Sequence, residues 1–307
     1  MKDWKSVFEG VLTDRQIKVN ESMKLHTTYG IGGLADVFVL PQSIEELKQV
    51  LQKAAAMNIP VTVIGGGTNT LVSDKGIRGI TICTTRIKNS VVRKGNTIIV
   101  TGGAGTGMVS RFAQKQGLSG LEFAAGIPGT LLGAVFMNAN GYGGCFADVV
   151  TSVRTITRNG LEEHIWNLTD IAYGNSDSIF MKNGEILIEV TMSLKEGDVE
   201  AIKKTMDEYQ LSRRTKQPLE KRSAGTSFLR PPGKYVGPMV KACNLMGFSV
   251  GDAQVSTKHP GFVVNNGSAS AKEIMDVLHE VQRRVKEKYQ VHLPLDVRML
   301  GEDFPQE

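Results

Sequence analysis

Three consecutive glycines, Gly65, Gly66 and Gly67, follow an apolar run, Val61–Ile64, that reads as a β-strand. They lead through Thr68 and Asn69 into a second apolar run that ends at Asp74. Glycine loses more conformational freedom on folding than any other residue. Three in a row are therefore costly unless the backbone must come very close to something or offer several N–H groups at once. Adjacent backbone N–H groups form a concave nest for an anion, and a diphosphate fits such a nest. A tight hairpin turn with no ligand accounts for the same residues equally well. The pattern is neither GxGxxG nor GxxxxGK[ST], which disfavours a Rossmann site and a P-loop.

At 307 residues the chain is long enough for two or three domains and a substantial core. Its 41% apolar and 22% charged residues are those of an ordinary soluble protein. No apolar run approaches the roughly 20 residues of a membrane span, so no membrane partner is expected. Residues 1–10 mix Lys, Asp and Glu with apolar residues and lack the apolar core of a signal peptide, which makes the cytoplasm the expected location. Cys83, Cys145 and Cys243 are odd in number and widely spaced. They build neither a disulfide framework nor a metal site. The net charge of +5 is mild, and the basic residues gather at 213–230 among Gly, Ser and Pro. That grouping suggests a local anionic ligand more than a nucleic-acid surface. Aromatic residues at 6% also argue against binding single strands.

Along the chain, 34–41 reads as a strand and 43–58 as a helix. The helix opens on the capping box Ser43-x-x-Glu46 and places Leu47, Val50, Leu51 and Ala54 on one face. Strands are expected at Val61–Ile64, 79–83, 90–93 and Thr97–Thr101, and a helix at 107–117. In 126–144 an apolar helix-like run starts at Pro128 and Gly129. Free amides there would make a second anion site, whereas small residues allowing close packing would make it a core helix. Residues 149–194 read as strands with a short irregular insert. A charged helix over 198–216 is expected to turn Ile202, Met206 and Leu211 inward. Residues 215–237 look like a functional loop. The clearest helix is 270–289, with a Ser270-x-x-Glu273 capping box and Ile274, Val277, Val281 and Val285 on one face. A last strand is expected over 293–300. A boundary near 195–200 divides the chain into domains 1–197 and 198–307.

Four segments are more specific together than any is alone. IGGGTNTLVSDKGIRG, GLEFAAGIPGTLLGAVFMNANGYGG, KQPLEKRSAGTSFLRPPG and VSTKHPGFVVN occur in that order. The chain resembles the UDP-N-acetylenolpyruvoylglucosamine reductase (MurB) family over residues 27–302. The absence of a long insertion between Tyr173 and Glu189 is similar to the shorter, type II branch. The resemblance implies an α+β fold: a VAO/PCMH-type FAD-binding domain of two subdomains, followed by a smaller α/β C-terminal domain for substrate. It implies non-covalent FAD, with NADPH as electron donor and a UDP-sugar substrate, in a monomer that uses no nucleic acid. Gly65, Gly66, Gly67, Thr68 and Asn69 would cradle the FAD diphosphate. Gly126, Pro128, Gly129, Gly133 and Asn138 would line the flavin, and residues 28–33 would sit on the adenine side. A covalent flavin link would need a His or Cys. The loop has neither, and Cys145 reads as an inert thiol.

The family reaction, in peptidoglycan precursor synthesis, passes a hydride from NADPH through the flavin to an enolpyruvyl side chain and then protonates that side chain. It needs a proton donor and groups that stabilise an enolate. By the resemblance these are a serine, an arginine and a glutamate. In this chain the three positions fall on Thr226, Gly174 and Asp296. Thr226 keeps a hydroxyl but adds a methyl that restricts its rotamer. The neighbouring Ser227 should point the other way in extended chain. Asp296 keeps a carboxyl set back by one methylene. Gly174 removes a cation, for which Arg158 and Arg230 are candidate substitutes. Lys216 and Arg230 match positions near the substrate diphosphate, and Tyr142 matches a tyrosine beside the sugar-nucleotide pocket. His259 reads as a structural hydrogen-bonder and Asn265 as a partner for buried backbone. Three readings stay open: an active reductase of the family substrate; a diverged flavoprotein with another substrate or no reductase activity; and a flavin- or nucleotide-sugar-binding regulator.

Overall fold

A computed structural model describes residues 3–304. The chain forms two compact units, and each is threaded discontinuously. The first takes the chain up to Val19, then Val37–Gly66 and Gly79–Ser212. The second takes Asn20–Asp36, Gly67–Arg78 and the chain from Arg213 onward. Residues 198–212, on the substrate side of the expected boundary, lie in the first unit. The mixture of helices with parallel and antiparallel strands is the expected α+β class.

The first unit holds one sheet whole and the larger part of another, three of whose strands run on into the second unit. The latter runs in the order Ile17–Ser22, Leu34–Val39, Ile77–Cys83, Val61–Ile64. Its last pair is parallel, with Val61 opposite Ile80 and Ile64 opposite Cys83. The Ile44–Ala56 helix covers it, because Leu47, Val50, Leu51 and Ala54 recur at helical spacing and are all buried. Ser43 caps that helix through Glu46 N–H. The second sheet is antiparallel, in the order Glu163–Asn167, Val150–Ile156, Ile186–Ser193, Thr97–Thr101, Ser90–Lys94. Val190 stands opposite both Val153 and Val100, and all three are buried. The insert between strands supplies only two single-turn helices, Leu168–Ile171 and Phe180–Asn183.

The second unit is built on the Ala271–Tyr289 helix. Ile274, Val277, Leu278, Val281 and Val285 are fully buried in its core. Each such side chain stabilises the fold by roughly 1.5–3 kcal/mol relative to exposure. A three-stranded sheet, Ser249–Val250, Ala253–Val255 and Val263–Asn265, shares that core. Thr70–Val72 pairs in parallel with Arg298–Leu300. Asp74, the last residue of the glycine motif, accepts the first two helical amides, Ala271 N–H at 2.8 Å and Lys272 N–H at 3.0 Å.

Three expectations need correction. Leu211 does not turn inward but is 65% exposed. The buried face of the Val199–Lys216 helix carries Ile202 and Met206, and one turn on it reaches Tyr209 rather than Leu211. The last strand is Arg298–Leu300 alone, because Leu293 is buried in the core and 294–296 form isolated contacts instead. The apolar run after Gly129 makes only the Leu131–Phe136 helix, which ends where Asn138 adopts a left-handed φ of 46°.

Asp74→Ala should lower stability by about 1–2 kcal/mol through loss of a charged cap, read as a fall in the thermal unfolding midpoint. A pH effect is expected on the antiparallel sheet. The Glu185 carboxylate takes the Trp166 indole N–H at 2.9 Å and His164 Nδ1 at 2.8 Å, and it also meets the Thr155 hydroxyl. Burial pushes this carboxyl up, but the three donors together hold it below the usual range. Glu185 in turn raises His164 above 6.5. Stability gained from a raised histidine is complete below the unfolded-state value and is lost as pH rises through the folded-state value. His164→Gln should therefore flatten the decline in stability above about pH 6.5, measured by denaturant unfolding across pH.

Candidate functional site

The glycine loop begins where the Val61–Ile64 strand ends, and the chain leaves the first unit between Gly66 and Gly67. A Cβ on Gly65 would stand 2.7 Å from Thr130 Oγ1. Gly67 has a φ of +63°, and a Cβ there would stand 1.9 Å from the His26 carbonyl. Thr28 N–H donates to Gly67 O at 3.0 Å. Internal packing alone thus demands glycine at two of the three positions. It does not account for the amides. Among the described residues, no group of the chain accepts the N–H of Gly65, Gly66 or Gly67, although Gly67 is buried. Buried amides left unmatched are rare, and a run of them matches the oxygens of a diphosphate. The loop therefore fits an anionic cofactor group.

The loop continues through Asn69, all of it now in the second unit. Asn69 Nδ2 donates to the Asp296 carbonyl at 2.8 Å, and Asn69 O accepts Arg298 N–H at 3.0 Å. Residues 227–229 lie against 294–296: Asp296 N–H donates to Ser227 O at 3.0 Å and Leu229 N–H to Pro294 O at 2.9 Å. That pairing sets Thr226 beside Asp296, and Thr226 Oγ1 donates to Asp296 Oδ2 at 3.3 Å. Ser227 points inward instead, buried, with its hydroxyl accepting Val263 N–H at 3.0 Å. Positions 69, 226 and 296 are thus brought together by backbone contacts within one unit.

The second glycine segment is organised by Thr130, a residue that the sequence reading passed over. Thr130 caps the Leu131–Phe136 helix by accepting Gly133 N–H at 3.2 Å. Leu131 N–H donates to Ala104 O at 2.8 Å, and Thr106 N–H to Gly129 O at 3.0 Å. At this helix start the chain itself takes the Leu131 and Gly133 amides. A threonine immediately before an apolar run is a cap signature, and that signal was available. Gly126 closes a short 3-10 turn, Pro128 is exposed, and Gly129 has a φ of 95°. Asn138 is 6% exposed and acts as a brace: Nδ2 donates to Gly174 O at 2.8 Å, and Oδ1 accepts Ala147 N–H at 2.9 Å. Tyr142 stacks on Tyr209 with ring centroids 4.2 Å apart and donates its hydroxyl to Tyr209 O at 3.0 Å.

Gly174 pairs its N–H with Asp177 O at 2.9 Å. No Lys or Arg stands between Tyr173 and Phe180, and the next cation, Lys182, pairs with Asp177 at 2.9 Å. Arg158 is held by the Gly184 carbonyl at 3.1 Å and the Val61 carbonyl at 3.3 Å. Arg230 stacks over the Tyr235 ring at 3.7 Å and donates to Lys234 O at 3.1 Å. Lys216 is exposed at the last position of its helix, where a cation also complements the helix dipole. Burial and the neighbouring Asp148 push the Cys145 thiol up, away from the reactive thiolate. His259 Nδ1 accepts Gly261 N–H at 3.1 Å, and burial lowers its basicity. Asn265 serves three backbone groups, those of Tyr29, Gly267 and Ala269, the first and last of them buried. Among the described residues no group of His, Cys, Asp and Glu could hold a metal, and no helix is long and apolar enough to cross a membrane.

Comparison with known proteins gives the same picture from outside. Residues 35–165 match an FAD binding domain family, and residues 217–300 match the C-terminal domain of UDP-N-acetylenolpyruvoylglucosamine reductase. The chain is 43% identical over 299 residues to a UDP-N-acetylenolpyruvoylglucosamine reductase of Clostridium novyi, covering 96% of this chain and 95% of that one. It is 41% identical to UDP-N-acetylenolpyruvoylglucosamine reductase 2 of Bacillus cereus, covering 95% of each. The crystal structure of the reductase from Thermus caldophilus superposes with a TM-score of 0.77 at 32% identity, covering 93% of this chain and 100% of that one.

Gly67→Ala should strip most of the flavin, because its Cβ meets a carbonyl fixed in the backbone. Gly65→Ala, which meets a threonine hydroxyl, should lose less. The ratio of visible to ultraviolet absorbance of each purified protein measures this, and equal flavin content in both variants would contradict it.

Proposed function

The chain belongs to the UDP-N-acetylenolpyruvoylglucosamine reductase family, and on that footing we propose that it is an FAD-dependent, NADPH-using reductase of UDP-N-acetylglucosamine enolpyruvate. It would act in the cytoplasm, in peptidoglycan precursor synthesis. The observation that carries the reading is the linkage in the second unit of Asn69, from the glycine loop, to Asp296, and of Asp296 to Thr226. A residue of the cofactor loop and a hydroxyl–carboxyl pair are fixed on one another.

In this reading Gly65, Gly66, Gly67, Thr68 and Asn69 hold the FAD diphosphate without a covalent bond. Gly126, Pro128, Gly129, Gly133 and Asn138 shape the flavin's surroundings. When bound, FAD supplies the two-electron chemistry, taking a hydride from the reduced nicotinamide and giving it to the enolpyruvyl acceptor. Thr226 then delivers the proton from Oγ1. Asp296 Oδ2 accepts the Thr226 hydroxyl at 3.3 Å and would hold it in place, and solvent, to which Thr226 is exposed, would replace the proton it gives up. Lys216, Arg230 and Tyr142 are the proposed contacts to the sugar nucleotide. With no cation from Tyr173 to Phe180, the developing enolate lacks one expected partner. Loss of such a donor costs roughly 2.7–4 kcal/mol, or about 10²–10³ in rate, so a slow enzyme is expected. The same lack favours, as a second reading, a flavoprotein whose acceptor develops less negative charge.

Anaerobic stopped flow separates the two half-reactions. NADPH should bleach the flavin in wild type and in Thr226→Val at equal rates. Reoxidation by the enolpyruvyl substrate should be about 100-fold slower in Thr226→Val and largely retained in Thr226→Ser. Bleached flavin that the substrate never reoxidises in wild type would overturn the first reading and leave the second.

A further inference from the structure

Arg222 stands four residues before Thr226. Its backbone is fixed, because its carbonyl accepts Asn265 N–H at 2.9 Å beside the Val263–Asn265 strand. Its side chain reaches Gly30, where Nη1 lies 2.6 Å and Cζ 3.2 Å from the place a Cβ would take. Any other residue at 30 would displace the guanidinium, and the φ of +64° there also favours glycine. Gly30 N–H closes a turn on Thr27 O at 3.0 Å. The same turn sends Thr28 N–H to Gly67 O at 3.0 Å and the Thr28 hydroxyl to Gly67 O and Thr68 O, each at 3.4 Å. The guanidinium therefore rests on the turn that secures the second-unit half of the glycine loop.

Among the described residues the Arg222 side chain makes no hydrogen bond or ion pair. An alkyl stem alone would cover a glycine turn, and lysine or leucine would supply one. What arginine adds is a planar fork of five donors matched to phosphate oxygens. A cation held in place by a glycine, beside a loop with unmatched amides, has the geometry of a phosphate contact. We propose that Arg222 binds the adenosine-phosphate half of FAD from the second unit, as a charge-assisted contact in addition to the loop amides. This rests on reading the loop as the FAD diphosphate cradle.

The test is FAD dissociation on dilution of the holoprotein, followed by the fluorescence of released flavin. Arg222→Met should raise the FAD dissociation constant about tenfold or more and should weaken its dependence on salt. Arg222→Lys should recover part of the loss, since the charge persists without the fork, and Gly30→Ala should also weaken FAD. Circular dichroism and the folding of Arg222→Met should be unchanged, as the side chain is exposed. An FAD affinity for Arg222→Met within twofold of wild type overturns the proposal. So does a weakened affinity for added UDP with FAD unaffected, which would assign the cation to the other nucleotide. If wild type neither retains nor takes up FAD, the cradle reading itself fails.

Discussion

The hydrogen bond from Asn69 to the Asp296 carbonyl, with the return bond from Arg298 N–H to Asn69 O, holds the candidate site together. It ties the end of the glycine loop to the chain 227 residues later. Loops of this kind are mobile unless their backbone groups find partners. Here the partner is the segment that carries Asp296 and aims its carboxylate at Thr226. The parallel pairing of Thr70–Val72 with Arg298–Leu300 continues the same seam, and Asp74 then pins the motif to the Ala271–Tyr289 helix. One motif of eleven residues, from Ile64 to Asp74, thus supplies a turn, a strand and a helix cap.

Much of the fold could be read from periodicity. The Ile44–Ala56 and Ala271–Tyr289 helices announce themselves by capping boxes and by apolar faces that repeat at helical spacing. Thr97–Thr101 alternates as a half-buried strand should. Short-range pattern fails where long-range contacts decide. Residues 293–297 are apolar enough to suggest a strand, yet their partner is the irregular chain at 227–229. Leu211 looked like an inward residue because it is apolar, while its angular position on the helix puts it outside. The interleaved threading of the two units leaves no composition signal, because the chain crosses between them inside strands, inside the glycine loop and inside the Val199–Lys216 helix.

The candidate site was legible in part. Three adjacent glycines signal a backbone requirement by themselves, but they do not say which requirement. Gly65 and Gly67 answer to Thr130 and His26, and only the unmatched amides speak for a ligand. Thr226 and Asp296 were identified by family resemblance as separate positions, and nothing in a sequence separation of 70 residues indicates a hydrogen bond between them. Asn138 was placed beside the flavin by the resemblance alone, and its side-chain bonds to Gly174 O and Ala147 N–H could not be read from the sequence. Thr130 and Arg222 were missed for opposite reasons. The first carried a recognisable cap signal. The second becomes meaningful only when Gly30, nearly two hundred residues earlier, is seen to make room for it.

The central claim is that the cofactor loop and the hydroxyl–carboxyl pair form one coupled unit through Asn69. Asn69→Ala, which removes the bond to Asp296 O and leaves both reactive side chains in place, tests this most directly. Asn69→Ala should weaken FAD retention and slow the substrate-dependent reoxidation of the flavin still bound, each by at least about tenfold, as befits a misplaced proton donor. FAD affinity and reoxidation rate both at wild-type values would contradict it.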